Sequence, residues 1–363
     1  MRPIRIERVD VAAYRIPTEA PESDGTLRWD ATTLVVVEVE AGGERGLGWT
    51  YADAAAAGVV RRLLADVVRG RDLSAIGAAW SAMRDAVRNV GREGVASMAI
   101  SAVDAALWDC KARLFGVPLA ALLGPVRSEV PVYGSGGFTS YSTGRLMQQL
   151  AGWVEAGIPR VKMKVGRTPS RDRARVTLAR RAIGDASELF VDANGAYDRK
   201  QALHFAEVFA ALGVTWFEEP VSSDDVAGLR LVRDRAPGGL EISAGEYAWD
   251  GHGFRRLLEG GCVDVLQADA TRCGGPSGFL VAAALCDAYG LPLSSHCAPT
   301  LHAPLGCAAV RLRHLEWFHD HVRIEGLLFD GAPQPRSGRL EPDPTRPGFG
   351  VELKRKDAER WAL

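Results

Sequence analysis

The chain has 363 residues, of which 47% are hydrophobic and 25% charged, the composition of an ordinary globular protein. Its 44 basic and 45 acidic residues leave a net charge of −1, which argues against a nucleic-acid or anionic-membrane binder. No apolar run is long enough to span a bilayer, and the N-terminus lacks the apolar stretch of a secretory signal. The six cysteines (Cys110, Cys262, Cys273, Cys286, Cys297, Cys307) form no CxxC pair, so reduced thiols and a cytoplasmic setting are expected.

The length exceeds one compact core, so two domains are expected. Residues 4–17 and 32–51 read as strands, the second rich in valine and broken by the turn-forming Ala41-Gly42-Gly43-Glu44-Arg45-Gly46. Pro17 to Asp30, between them, reads as a polar loop. Helical periodicity follows over 56–69, 73–90 and 94–114, where Met98, Ala99, Val103, Ala106 and Leu107 make one apolar face. Residues 1–125 are therefore expected to form an α+β domain.

From Val130 the texture changes. Eight short apolar runs alternate with amphipathic stretches: 130–135, 161–165, 189–193, 214–219, 242–246, 263–268, 291–296 and 315–318. Strands alternating with helices pair in parallel, and eight is the number that closes a (β/α)8 barrel of the TIM type, which takes roughly 250 residues. Residues 126–320 are assigned to this barrel, and 321–363 to a C-terminal segment.

An ionisable residue recurs at each strand in one phase. From Lys164 the steps are 28 to Asp192, 26 to Glu218, 28 to Glu246, 23 to Asp269, 27 to His296 and 20 to Glu316. Each step is about one βα unit, so all seven are expected at the C-terminal mouth of the barrel, where such folds keep their chemistry.

Asp192, Glu218 and Glu246 converging in one mouth would repel each other unless neutralised. Solvation or pairing with arginines would serve; a hard divalent cation would also, and oxygen-only ligands favour Mg2+ over zinc. Glu219 is expected to point away from Glu218, by strand alternation. Lys162 and Lys164 share a strand face, and like-charge repulsion is expected to lower their pKa values until one becomes a base near neutral pH. His296 and Asp269 are spaced for a dyad in which the carboxylate orients the imidazole.

Lys162-Met-Lys164, Asp192-Ala-Asn194, Glu218-Glu219-Pro220, Gly245-Glu246, Asp269 with Gly274-Gly275, Ser295-His296 and His314-Leu315-Glu316 together resemble the enolase superfamily, within it the mandelate racemase subgroup. The resemblance covers nearly the whole chain. It implies an N-terminal capping domain, a modified barrel and a C-terminal segment returning to the cap. It further implies Mg2+ on Asp192, Glu218 and Glu246, Lys164 as one acid/base tuned by Lys162, and His296 with Asp269 as the other. Glu316 would donate a hydrogen bond to the substrate carboxylate, and Asn194 would face the substrate. The implied step is removal of the proton beside a carboxylate through an enediolate, in a symmetric homo-oligomer acting on a small-molecule carboxylate. Dehydration of a sugar acid to a 2-keto-3-deoxy acid is the expected outcome, because the polar 19–30 loop with Arg28, and Tyr51, suit a polyhydroxy acid. Racemisation or epimerisation of a 2-hydroxy acid or amino-acid derivative is the alternative, and a non-catalytic binding barrel a remote one.

Overall fold

In the computed structural model, residues 3–363 are described. Two long strands, β1 (Ile6–Ser23) and β2 (Arg28–Ala41), form an antiparallel hairpin, and β3 (Glu44–Tyr51) completes a three-stranded sheet. The sheet packs on a bundle that includes the helix Val95–Leu114, whose residues are buried almost all round. Gly46 and Gly48 permit this approach: a Cβ at either would lie 2.2 Å from a carbonyl oxygen of that helix.

Eight parallel strands follow: β4 (Val130–Gly136), β5 (Arg160–Lys164), β6 (Glu188–Asp192), β7 (Val214–Glu218), β8 (Glu241–Ala244), β9 (Val265–Ala268), β10 (Leu293–Ser295) and β11 (Leu312–Phe318). They lie in sequence order, and β11 pairs with β4 to close the barrel. The expected runs match these strands to within a few residues. Register places Lys164 opposite Asp192, and Asp192 opposite Glu218, so these three stand in one ring at the C-terminal ends. Two residues back along β6 and β7, Phe190 and Trp216 stack in the barrel interior with ring centres 5.3 Å apart. Alternation thus puts an aromatic layer, completed by Tyr133 and His314, beneath an ionisable one.

The stretch expected to be a loop is a strand over most of its length. β1 and β2 continue through 17–23 and 28–32, leaving only residues 24–27 to turn. The arm is mostly polar, with Trp29 packed edge-on against Phe138, ring centres 5.6 Å apart. It reaches over the barrel mouth. Thr139 N donates to Ser23 O (2.8 Å), Thr139 Oγ1 to Asp24 O (2.8 Å) and Arg167 Nη1 to Thr26 O (3.0 Å). Gly25 is pressed against the barrel, where a Cβ would meet Ala193 O at 2.2 Å and Val165 O at 2.8 Å.

The cap docks along the barrel through Ser101 Oγ, which accepts from Gly274 N and Gly275 N, and Asp104, which accepts from Ser277 N and Oγ. The C-terminal segment returns to the cap sheet: Leu363 N donates to Ala13 O, Arg15 N to Trp361 O, and Arg355 pairs with Glu38.

Candidate active site

Asp192 and Glu218 end their strands, and Glu246 stands two residues past β8. One carboxylate oxygen from each lies within 4.8 Å of the others, and all three residues are buried. Glu246 Oε2 lies 3.2 Å from His296 Nε2 yet accepts no hydrogen bond, and Glu219 Oε1 and Asn194 Oδ1 nearby are buried without donors. Convergent hard oxygens with unused lone pairs fit a divalent cation such as Mg2+.

The lysines compensate part of this charge. Lys162 Nζ lies 2.6 Å from Glu218 Oε1, 2.8 Å from Glu316 Oε1 and 3.4 Å from Asp192 Oδ2, fully buried. Lys164 Nζ lies 2.5 Å from Asp192 Oδ2. The expectation of a depressed lysine fails in this charge set. Burial works against both ammonium groups, but the carboxylates, Glu218 for Lys162 and Asp192 for Lys164, outweigh it and hold both above their ordinary range. Mutual repulsion is the smaller effect.

On the other side of the mouth, His296 Nδ1 is 2.8 Å from Asp269 Oδ2, as the spacing predicted. Asp269 Oδ1 accepts from Thr271 N and Thr271 Oγ1, both at 2.7 Å, which fixes the carboxylate behind the ring. Burial disfavours the charged imidazole, but Glu246 and the Asp269 hydrogen bond raise its pKa. β5 and β10 are three strands apart one way round the barrel and five the other, so Lys164 and His296 enter from nearly opposite sides. Glu316 lies within β11, and its Oε2 accepts from Cys297 N at 2.7 Å. Burial opposes ionisation there, but Lys162 overcomes it and holds the group well below the carboxylate range. Glu316 thus sits between the main chain at Cys297, through Oε2, and Lys162, through Oε1.

A cavity of about 590 Å3 joins barrel and cap. Lys164, Asn194, Glu246, Arg272 and His296 line its barrel side, and Asp24, Leu27, Trp29, Tyr51 and Asp53 its cap side. A slightly larger depression of about 680 Å3, beside Arg92, Asp224 and Trp249, contains none of the acids or bases above. Asn194 is where the sequence placed it, held with φ 46° while its N–H donates to Asp192 Oδ1. Tyr51 reaches the cavity, but its ring stacks on His321 at 3.4 Å and its hydroxyl points to Glu325. Arg28 does not line the cavity. Leu27 and Trp29 do, and alternation turns Arg28 to the opposite, exposed face.

Glu219 is buried beside the three-carboxylate cluster without being one of its converging acids. It follows the end of β7 with φ 39°, so alternation no longer applies. Burial, then the neighbouring Glu246 and Asp192, push its carboxyl well above the usual range. Arg272 was missed. Its Nη1 lies 3.2 Å from Glu246 Oε1 and its Nε 3.5 Å from Asp269 Oδ2, bridging the three-carboxylate cluster and the acid of the dyad. The signal was its place three residues past Asp269, on the turn that brings the chain back to the mouth. His321 was missed too; it accepts from Ala298 N through Nδ1 at 3.3 Å.

Residues 145–358 match the enolase C-terminal domain-like family, and residues 9–124 match the mandelate racemase / muconate lactonizing enzyme N-terminal domain. The chain belongs to the enolase superfamily, mandelate racemase subgroup. Within that subgroup it is 32% identical to an L-talarate/galactarate dehydratase from Salmonella typhimurium, over 98% of this chain and 91% of the relative. A mandelate racemase/muconate lactonizing enzyme-like protein from Rubrobacter xylanophilus is 56% identical, with a TM-score of 0.97 over 99% of this chain and 100% of that one. A racemase from Streptomyces coelicolor, crystallised with bound magnesium, is 31% identical with a TM-score of 0.93, over 99% of this chain and 100% of that one. The subgroup's fold, a capped barrel, is the fold described above.

Proposed function

We propose that this chain is a Mg2+-dependent lyase that dehydrates a sugar acid to a 2-keto-3-deoxy acid. The observation that carries the reading is the placement of two acid/base groups, Lys164 and the His296–Asp269 dyad, on opposite sides of a three-carboxylate cluster. The dehydratase and the magnesium-bound racemase among its relatives support the same chemical step.

Asp192, Glu218 and Glu246 would hold the ion, with Glu219 and Asn194 lending their unpartnered oxygens to its surroundings. Bound there, Mg2+ supplies positive charge against the negative charge that develops on the substrate carboxylate. With Asp192 committed to the ion, the carboxylate that keeps Lys164 protonated is neutralised, and Lys164 Nζ as the free amine takes the proton from C2, whose electron pair moves into the substrate carboxylate. Asp269 fixes His296 with Nε2 facing the cavity. When the C3–O bond breaks, His296 Nε2 gives its proton to the departing hydroxyl, and water leaves. The enol then gains a proton at C3 while its C2 hydroxyl gives one up to water, and becomes the keto acid. Lys162, locked between Glu218 and Glu316, keeps the buried acids compensated before substrate arrives.

The test is a library of sugar acids assayed with Mg2+ for 2-keto acid, with polarimetry in parallel and Lys164→Ala and His296→Asn as controls. Keto acid that disappears in both variants supports the reading. Racemisation without keto acid would replace it with the racemase alternative.

A further inference from the structure

The chemistry above concerns only the first three carbons of a substrate. What the rest of the molecule meets depends on the cap, and the cap side of the cavity has a distinct chemical character. Its contributors are the hairpin tip, the strand β2 beyond it and the residues after β3.

Two carboxylates face the cavity from there, Asp24 and Asp53. Asp24 Oδ1 accepts from Thr26 N and Leu27 N, both at 2.6 Å, and Asp53 Oδ1 accepts from Ala55 N at 2.8 Å. Neither carboxylate is paired with a lysine or arginine among the described residues. The remaining cap-side surface is apolar or hydroxylic: Leu27, Trp29, Ala31, Thr32 and Thr33.

Among the described residues that line the cavity, the lysine and arginine stand at the other end; Arg167, which donates to Thr26 O, holds the tip from outside the lining. Lys164 contacts Asp192, and Arg272 contacts Glu246 and Asp269, so each is engaged at the level of the metal-side acids. Arg28, the one cation on the hairpin tip, is turned outward. His321 also lines the cavity, but its Nδ1 is an acceptor for Ala298 N, and burial lowers its pKa well below the ordinary value. It is a neutral ring that presents one N–H, suited to a hydroxyl.

We propose that the site selects sugar acids with a single carboxylate, aldonates, over aldarates, which carry a second carboxylate at the far end. The inference rests on the dehydratase reading above and deepens it. With C1 at the metal-side acids and the α-carbon between Lys164 and His296, the far end of a five- or six-carbon chain extends toward Asp24 and Asp53. A terminal hydroxyl or methyl fits that wall, the former donating to an aspartate and the latter packing on Leu27 or Trp29. A terminal carboxylate meets like charge with no cation to offset it, and such a juxtaposition is a device for rejecting a wrong partner.

The experiment compares kcat/KM for keto-acid formation from matched aldonates and aldarates of the same configuration at C2 and C3, with the Mg2+-loaded full chain. The expected preference is on the order of a hundredfold or more for the aldonate. The variants are Asp24→Asn and Asp53→Asn, alone and together. An asparagine Oδ1 can still accept the turn and cap hydrogen bonds, so the local backbone is kept. The double variant is expected to raise the aldarate-to-aldonate ratio at least tenfold, a change that a purely structural role would not produce. Equal or better turnover of the aldarate by the native chain overturns the proposal and leaves the dehydratase reading standing. If neither class yields keto acid, the dehydratase reading falls. Calorimetric binding of both compounds to the Mg2+-loaded chain then still decides this one: tighter binding of the monoanion supports it, and tighter binding of the dianion overturns it.

Discussion

Gly25 is the point at which the cap hairpin touches the barrel mouth, and Gly25→Ala tests whether that contact governs catalysis. The added Cβ would sit 2.2 Å from Ala193 O and 2.8 Å from Val165 O, both backbone atoms that cannot swing aside. Ordinary contact needs more than 3 Å, so the hairpin tip must lift by roughly 1 Å. The hydrogen bonds that hold the tip include Thr139 N to Ser23 O, Thr139 Oγ1 shared between Asp24 O and Ser23 O, Ser23 Oγ with Thr139 Oγ1 at 2.6 Å, and Arg167 to Thr26 O. Each contributes about 1 kcal/mol net, and losing two of them costs the closed state about 2 kcal/mol. That lowers the closed-to-open equilibrium constant about thirtyfold, and substrate that binds only the closed state loses kcat/KM by up to the same factor, the full factor applying where the open state dominates. The assay is steady-state kcat/KM for keto-acid formation, alongside limited proteolysis at residues 24–27 and the thermal midpoint. A loss of up to about thirtyfold with faster cleavage and a little-changed midpoint is expected, because the barrel core is untouched. Native kcat/KM in Gly25→Ala would refute the argument that this hairpin closes the site.

Asp104, fully buried between cap and barrel, is pushed by burial from 3.8 up to about 7 despite the two hydrogen bonds from Ser277. A carboxylate with a raised folded pKa keeps its proton in the fold after the unfolded chain has lost it. Stability is therefore lost as pH rises from about 4 to 7 and is constant above, by up to about 4 kcal/mol. Asp104→Asn should lack that decline, so denaturant midpoints of the two chains should diverge in the variant's favour between pH 4 and 7; parallel curves would contradict this. Lys162→Met leaves Glu218 and Glu316 without their buried counter-ion. Unfolding in chelator should then cost about 3–5 kcal/mol less than for the native chain, and less of that deficit should persist with saturating Mg2+. An unchanged midpoint in chelator would show that the lysine does not carry the compensation assigned to it.

Much of the site was legible because a barrel converts sequence spacing into position. Each acid or base except Glu316, which lies within β11, falls at or just beyond a strand end, so steps of 20–28 residues between Lys164 and Glu316 were enough to gather them at one mouth. The hairpin was not legible as strand, since its outer reach covers a polar cavity and shows no apolar alternation. Arg28 was misplaced for the same reason: without a strand reading, nothing distinguished its face from that of Leu27 and Trp29. Glu219 escaped the alternation rule because the backbone turns to φ 39° after the last paired residue. The lysine pKa values depended on distances to Asp192, Glu218 and Glu316, contributed by three other strands, which adjacency in the sequence does not report.

The most direct measurement of the central claim follows a deuterium at C2. A sugar acid labelled there is incubated with the chain, with Mg2+ or with excess chelator, and the product is read by mass spectrometry. Keto acid that has lost the C2 deuterium, formed with Mg2+ and not in chelator, is the result that Lys164, His296 and the three carboxylates predict. Product that retains the label, or that forms as fast in chelator, would contradict proton abstraction at this site.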